Sequence, residues 1–228
     1  MELTLIEKKE EVPGVTSFVF DPGEPFAWKP GQYLHYVLHH EPTDERGSDR
    51  WFTLSSAPFE GRATVITRLA SEKGSSFKSA LAGLAIGETI EATQVGGDFT
   101  IDNPDAEYVL LAGGIGITPF HSILKQADHD GVGLNVTLLY ATRDGNAPFR
   151  TELEGFAERN PKLTVTYLTD PERIDEAAVR KYVSDLSAPF FYLSGPEPMV
   201  KALAETLQGM GIDSARIKLD DFPGYTTY

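Results

Sequence analysis

The 228-residue sequence contains no cysteine. A disulfide framework, a thiolate zinc site, a cysteine-ligated iron–sulfur cluster and a cysteine nucleophile are therefore all excluded. Long apolar runs are missing too. The charge-free stretch from Tyr108 up to Lys125 is broken by Gly113, Gly114, Gly116 and Pro119, so no membrane span is expected. Met1-Glu2-Leu3-Thr4 lacks the basic and apolar regions of a secretory signal, which points to a cytoplasmic protein. Basic residues are scarce, with 20 Lys and Arg against 34 Asp and Glu and a formal net charge of −14. A cut at Asn103 leaves −7 on each side. Nucleic-acid binding would need a strong local reversal of this field, and no basic stripe supplies one.

Hydrophobic residues at 41% and charged residues at 24% are ordinary for a soluble globular chain. With 21 glycines and 15 prolines, turns are frequent. Val15 to Phe20, Gln32 to His40, Trp51 to Ser55, Ala63 to Leu69 and Thr89 to Val95 are rich in Val, Ile, Thr and aromatics. Such short runs, separated by Pro/Gly clusters and acidic loops, predict an antiparallel sandwich or barrel. Phe77, Leu81 and Leu84 mark one short helix among them. From about Pro104 the rhythm changes. Tyr108 to Ala112, Asn135 to Ala141, Leu163 to Leu168, Phe190 to Ser194 and Ile217 to Leu219 read as strands. Helical stretches alternate with them, the first carrying Phe120, Ile123 and Leu124, so βαβ units and a mostly parallel sheet follow. The expected architecture is an N-terminal antiparallel β-barrel, residues 1–103, followed by a parallel-sheet α/β domain, residues 104–228.

Two motifs carry chemistry. Gly113-Gly114-Ile115-Gly116-Ile117-Thr118-Pro119 follows a strand directly and opens a helix. Its glycines let backbone N–H groups approach a pyrophosphate, Thr118 is placed to cap the helix, and Pro119 suits its first turn. Read alone, it is also compatible with a ligand-free turn, and Pro119 stands where a Rossmann loop has its third glycine. Arg50-Trp51-Phe52-Thr53-Leu54-Ser55-Ser56 puts an arginine at the start of a strand of aromatics and hydroxyls. It could hold a phosphate while an aromatic packs on a flat ring, or be an ordinary amphipathic strand.

Together, and in this order, the motifs resemble the ferredoxin–NADP⁺ reductase superfamily of flavin-dependent NAD(P)H reductases. Arg50 to Thr53 is similar to its R-x-Y-[ST] flavin motif, and Pro30-Gly31-Gln32-Tyr33 to its P-G-Q-[YF] strand. Lys73-Gly74-Ser75-Ser76-Phe77 looks like its flavin-phosphate helix start, and Gly96-Gly97-Asp98-Phe99 like a variant of its G-P-x-G-x-F turn. Gly113 to Pro119 matches its nucleotide loop, and Ser194-Gly195-Pro196-Glu197-Pro198-Met199 its [CS]-G-P-x-x-M motif.

The resemblance implies FAD and NAD(P)H as cofactors, with hydride transfer between nicotinamide C4 and flavin N5. Arg50, Trp51, Phe52, Thr53, Leu54 and Ser55, with Gly74, Ser75, Ser76 and Phe77, become the flavin set. Within it Arg50 would pair with phosphate, Phe52 would pack on the isoalloxazine, and the Thr53 hydroxyl would sit near N5. Gly113, Gly114, Gly116, Thr118, Pro119, Gly195 and Pro196 become the nucleotide set, and Arg143 could reach the adenosine ribose or pair with Asp144. Thr53, Ser194 and Phe222 are the implied catalytic positions. Phe222, or failing it Tyr225 or Tyr228, would cover the flavin face. Phe52 replaces the usual Tyr and loses one hydrogen bond of ~0.5–1.5 kcal/mol, and Ser194 replaces a frequent Cys.

Electrons would pass to or from a separate carrier protein or a small oxidant, because the cysteine-free chain cannot hold a plant-type ferredoxin centre. The net charge favours an acceptor less acidic than a typical ferredoxin, unless a patch from Lys8, Lys9, Arg62, Arg68, Lys73 or Lys78 opposes it. A flavin reductase using free flavin as substrate and a flavin-free NAD(P)-binding sensor are the alternatives. His35, His39 and His40 share one strand region, but no carboxylate is spaced to complete a metal triad, so they read as surface or packing residues. His121 reads as a helix residue, and Glu152, Glu154 and Glu158 as a solvated helix face.

Overall fold

Strand pairing in the first hundred residues begins at a two-residue turn. Pro13-Gly14 joins β1 (Glu2–Val12) to β2 (Val15–Asp21), with Val12 opposite Val15. Gly14 takes φ +74, a conformation that costs glycine nothing. β3 (Tyr33–Val37), β4 (Asp49–Thr53), β5 (Ala63–Arg68) and β6 (Thr89–Gly96) complete an antiparallel sheet of order β4-β3-β6-β1-β2-β5. The edges of that sheet meet. The Ser55 N–H donates to the Thr64 carbonyl at 2.9 Å, and the Thr64 N–H donates to Ser56 Oγ at 3.0 Å. These bonds join the chain after β4 to β5 and curl the sheet into the expected barrel. The computed structural model describes residues 1–69 and 74–222, with only the backbone of Asp221 and Phe222.

Inside the curl, Leu3, Leu5, Phe18, Phe20, Leu34 and Tyr36 form a core. Truncating one such phenylalanine to alanine costs about 3–5 kcal/mol. The inward set alternates along each strand, as a pleated sheet with one buried face requires. α1 (Ser76–Gly83) lays Phe77 and Leu81 onto this core. Ser75 starts that helix as its N-cap, its Oγ accepting the Lys78 N–H at 3.2 Å.

The chain divides into Met1–Thr100 and Ile101–Tyr228. In the second unit β7 (Glu107–Gly113), β8 (Asn135–Thr142), β9 (Leu163–Thr169), β10 (Phe190–Pro196) and β11 (Ile217–Phe222) form an all-parallel sheet of order β11-β10-β7-β8-β9. The crossovers carry α2 (Ile117–His129), α3 (Arg150–Arg159), α4 (Glu176–Tyr182) and α5 (Glu197–Gly209). The central strands are apolar throughout because helices cover both faces. Order reverses once: the chain runs outward from β7 to β9, then returns to place β10 on the other side of β7. In open α/β sheets ligands bind at the carboxyl ends of the strands flanking such a reversal. Gly113 and Ser194 stand at those ends.

Candidate functional site

In the barrel unit, alternation along β4 divides the flavin-like motif between two faces. Arg50 and Phe52 share one face with Phe77 of α1: the Arg50 guanidinium lies 5.3 Å from the Phe77 centroid, and Phe52 lies 5.9 Å from it. Trp51 is on the other face, 46% exposed and stacked on His35 at 4.3 Å. It is not brought together with Arg50. His35 in turn bonds Thr93 Oγ1 at 2.7 Å and Asp49 Oδ2 at 2.8 Å. Thr53, Leu54 and Ser55 are buried, and the Ser55 hydroxyl donates to the Thr64 carbonyl.

Arg50 Nη1 donates to the carbonyls of Arg46 at 2.7 Å, Gly47 at 3.2 Å and Asp49. Nη2 is buried and has no hydrogen-bond partner among the described residues. Desolvation pushes the guanidinium pKa down, against the pull of Asp44. Asp44 Oδ1 lies 4.0 Å from Nη2, an ion pair too long for a hydrogen bond, so this buried nitrogen keeps a donor that a phosphate oxygen fits.

The start of α1 is already engaged by side chains. Asp44 Oδ2 accepts the Ser76 N–H at 2.7 Å, and the Arg46 Nη2 at 2.6 Å and Nε at 3.2 Å. Those contacts, Arg46 first, hold the Asp44 carboxyl well below the usual carboxylate range. Ser76 Oγ accepts the Asp44 N–H at 3.0 Å and lies 2.8 Å from His40 Nε2. His40 Nδ1 contacts the Leu38 carbonyl at 2.7 Å. A carbonyl only accepts, so Nδ1 carries the proton, and in the neutral ring Nε2 accepts from Ser76 Oγ–H. Gly74 offers its carbonyl to Arg46 Nη2 at 3.2 Å. Lys73 lies outside the described residues.

In the second unit the two turns at the sheet reversal are packed backbone to backbone. A Cβ placed on Gly116 would lie 2.1 Å from the Ser194 carbonyl oxygen, and one on Gly113 would lie 2.4 Å from Met199 Sδ. Gly195, at φ +154, is pressed against Met199 and Gly113 in the same way. Gly114 is different: it takes φ +55, and a Cβ there would meet nothing within 4 Å. Its carbonyl accepts from Tyr140 Oη at 3.0 Å. Gly116 is thus demanded by backbone contact between the turns and Gly114 by its left-handed backbone, whereas a Cβ on Gly113 would have to push aside the end of the Met199 side chain. Thr118 is buried in the first turn and donates to the Ile115 carbonyl instead of capping; Gly116 is the N-cap. Pro119 occupies the first turn as expected from its fixed φ.

Ser194 is fully buried, and its Oγ donates to Asp220 Oδ2 of β11 at 2.9 Å. Sequence reasoning overlooked Asp220, which reads locally as one more acid near an acidic terminus. Phe222 ends β11 beside Pro196; its side chain, Tyr225 and Tyr228 lie outside the described residues. Arg143 is exposed just beyond β8. His121 is buried, stacked on Phe149 at 3.8 Å and 3.2 Å from Glu152 Oε2. Glu152 is therefore not merely part of a solvated face: His121, then Lys125 at 3.3 Å, draw its carboxyl down to about 2. Phe149 reaches His121 from φ +61, a strained value for a bulky residue that no local pattern announces.

Residues 110–205 match the family of oxidoreductase NAD-binding domains. The chain is 31% identical over 231 residues to the ferredoxin reductase component of 3-ketosteroid-9-alpha-monooxygenase from Rhodococcus rhodochrous, covering 96% of this chain and 64% of that protein. It therefore spans just under two thirds of that relative's length. The fold agrees with two solved structures. The flavohem-like FAD/NAD-binding domain of nitric oxide dioxygenase from Vibrio cholerae superposes with TM-score 0.85 at 23% identity, covering 97% of this chain and 98% of that one. A ferredoxin–NADP⁺ reductase from Neisseria gonorrhoeae gives TM-score 0.81 at 19% identity, with 97% and 98% covered.

Glycine packing at the sheet reversal is directly testable. Gly116→Ala is expected to destabilise the second unit severely, because the obstacle is a backbone carbonyl that cannot turn aside. Gly114→Ala is expected to cost only about 1–2 kcal/mol, the penalty of a left-handed backbone. Denaturant unfolding of the two variants checks the order; equal stabilities would contradict it.

Proposed function

We propose that this chain is a member of the ferredoxin–NADP⁺ reductase superfamily that binds FAD in its barrel unit and NAD(P)H in its α/β unit, and passes electrons to a separate acceptor. The observation that carries this reading is Arg50, on the same face of β4 as Phe52, whose buried Nη2 has no hydrogen-bond partner among the described residues. When bound, the flavin supplies acceptance of hydride from a nicotinamide and onward release of the electrons.

The chain's own residues bind and orient. Arg50 offers the flavin phosphate a charge-assisted hydrogen bond from a site partly withdrawn from water, where such a bond is stronger than at the surface. Phe52 offers an apolar ring to the isoalloxazine. Thr53, buried at the end of β4, keeps a hydroxyl there without a titrating group. In the other unit, the N–H groups from Gly114 to Thr118 at the start of α2 suit a pyrophosphate, and Tyr140 steadies the loop through the Gly114 carbonyl. Asp220 holds the Ser194 hydroxyl proton in a fixed direction, so Ser194 is an oriented polar group at the nicotinamide end. Arg143, exposed at the end of β8, suits the ribose or a 2′-phosphate. Among the described residues no helix is long and apolar enough to cross a membrane, and a cytoplasmic setting belongs to the same proposal.

Arg50→Ala removes a contact worth ~1.5–3 kcal/mol, so flavin affinity is expected to fall at least tenfold with the circular dichroism spectrum unchanged. Undiminished flavin affinity in the folded variant would overturn the assignment. The acceptor is expected to be less acidic than a typical ferredoxin, because this chain itself carries −14. Reduction of an acidic ferredoxin that is fast at low salt and slows steeply as salt rises would contradict that expectation.

A further inference from the structure

We infer that Asp44 is an internal stand-in for the flavin phosphate, and that it sets flavin affinity by competing for the same donors. The inference rests on the flavin reading above and concerns a residue to which that reading gives no role. Asp44 belongs to the acidic loop between β3 and β4, yet its carboxylate faces inward to the start of α1. Oδ2 accepts the Ser76 N–H at 2.7 Å and two nitrogens of Arg46. Oδ1 accepts the Arg46 N–H at 2.9 Å and lies 4.0 Å from Arg50 Nη2. A helix-start N–H, one arginine in bidentate contact and a second within reach form the environment that a phosphate oxygen seeks.

The side chains at the start of α1 are already engaged. Ser75 Oγ caps α1, and Ser76 Oγ lies between the Asp44 N–H and His40. Among the described residues, the donors facing an anion there include Arg50 Nη2, which has no hydrogen-bond partner, and the Ser76 N–H and Arg46 fork that Asp44 holds. A flavin phosphate reaching Arg50 therefore meets the Asp44 charge about one hydrogen-bond shell away. It must either displace that carboxylate or sit beside it against like-charge repulsion. In both cases Asp44 weakens flavin binding. In the flavin-free protein the same carboxylate neutralises Arg46 and satisfies the helix start, so it stabilises the empty site.

This competition has a signature that a purely structural aspartate lacks. Removing Asp44 should destabilise the flavin-free protein, leave the flavin-loaded protein nearly unchanged, and tighten flavin binding. The full-length chain is stripped of flavin and titrated with FAD by fluorescence quenching, for the original protein, Asp44→Ala, Asp44→Asn and Arg50→Ala. Thermal midpoints are recorded with and without FAD. Asp44→Ala is expected to bind FAD about tenfold tighter, the size of one charge-assisted contact regained. Asp44→Asn, which keeps the loop's hydrogen-bonding shape without the charge, should move in the same direction. The midpoint of the flavin-free form should fall in Asp44→Ala, while that of the loaded form should hold. Equal or weaker FAD binding in both Asp44 variants, or equal destabilisation of both forms, would overturn the role of Asp44 even where Arg50→Ala loses flavin. If Arg50→Ala binds FAD as the original does, the flavin reading fails, and the stand-in role with it.

Discussion

Arg50 keeps a positive charge partly out of water, with three backbone carbonyls on one terminal nitrogen and, among the described residues, no hydrogen-bond partner on the other. A buried donor left unmade costs about 1–3 kcal/mol, more when charged, and the barrel tolerates that cost because its strands are fixed by other means. Leu34, Phe20 and Phe77 pack whether or not the guanidinium is satisfied. The Ser55–Thr64 bonds close the sheet next to the motif. The rigid core therefore holds the charge in place, and the charge defines what the face of β4 can bind. Asp44, Arg46 and the start of α1 are arranged around the same electrostatic demand.

The α/β unit meets a different constraint, one of space. Two chain turns leave neighbouring strands at the sheet reversal, and they approach so closely that Gly116 and the Ser194 carbonyl leave no room for a methyl group. This contact couples the glycine loop to Ser194, and Ser194 is bonded to Asp220 on the edge strand. Backbone groups are thus left uncovered by side chains at Gly113, Gly114 and Gly116, and the Ser194 hydroxyl is held by a neighbouring strand. His121, stacked on the strained Phe149 and bonded to Glu152, clamps α2 to α3 on the far side of the same helix start.

Much of this was legible in the sequence where the determinants are local. Apolar runs such as Tyr108 to Ala112, glycines directly after them, and β-branched stretches with turn residues between them report strand, loop and helix without help from distant residues. β1 escaped because Glu7, Lys8, Lys9, Glu10 and Glu11 hide an alternation that only Leu3 and Leu5 reveal. Asp44, Asp220 and Glu152 escaped for another reason. Their partners lie 32, 26 and 31 residues away, and an acid in an acidic chain looks solvated until folding brings those partners to it. Thr118 failed as a cap because the 3₁₀ turn at Gly114–Gly116 moves the helix start back by two residues. Trp51 was grouped with its neighbours in sequence, whereas the period of two along a strand turns it to the opposite face.

The central claim is that this chain moves electrons from a reduced nicotinamide through a flavin. Anaerobic rapid mixing of the flavin-loaded full chain with NADH or NADPH tests it most directly, with the flavin absorption band followed in time. The account predicts that at least one of the two nucleotides bleaches that band in proportion to bound flavin, and that added oxidant restores it. A purified protein that binds flavin and nucleotide yet shows no bleaching with either one would contradict the account.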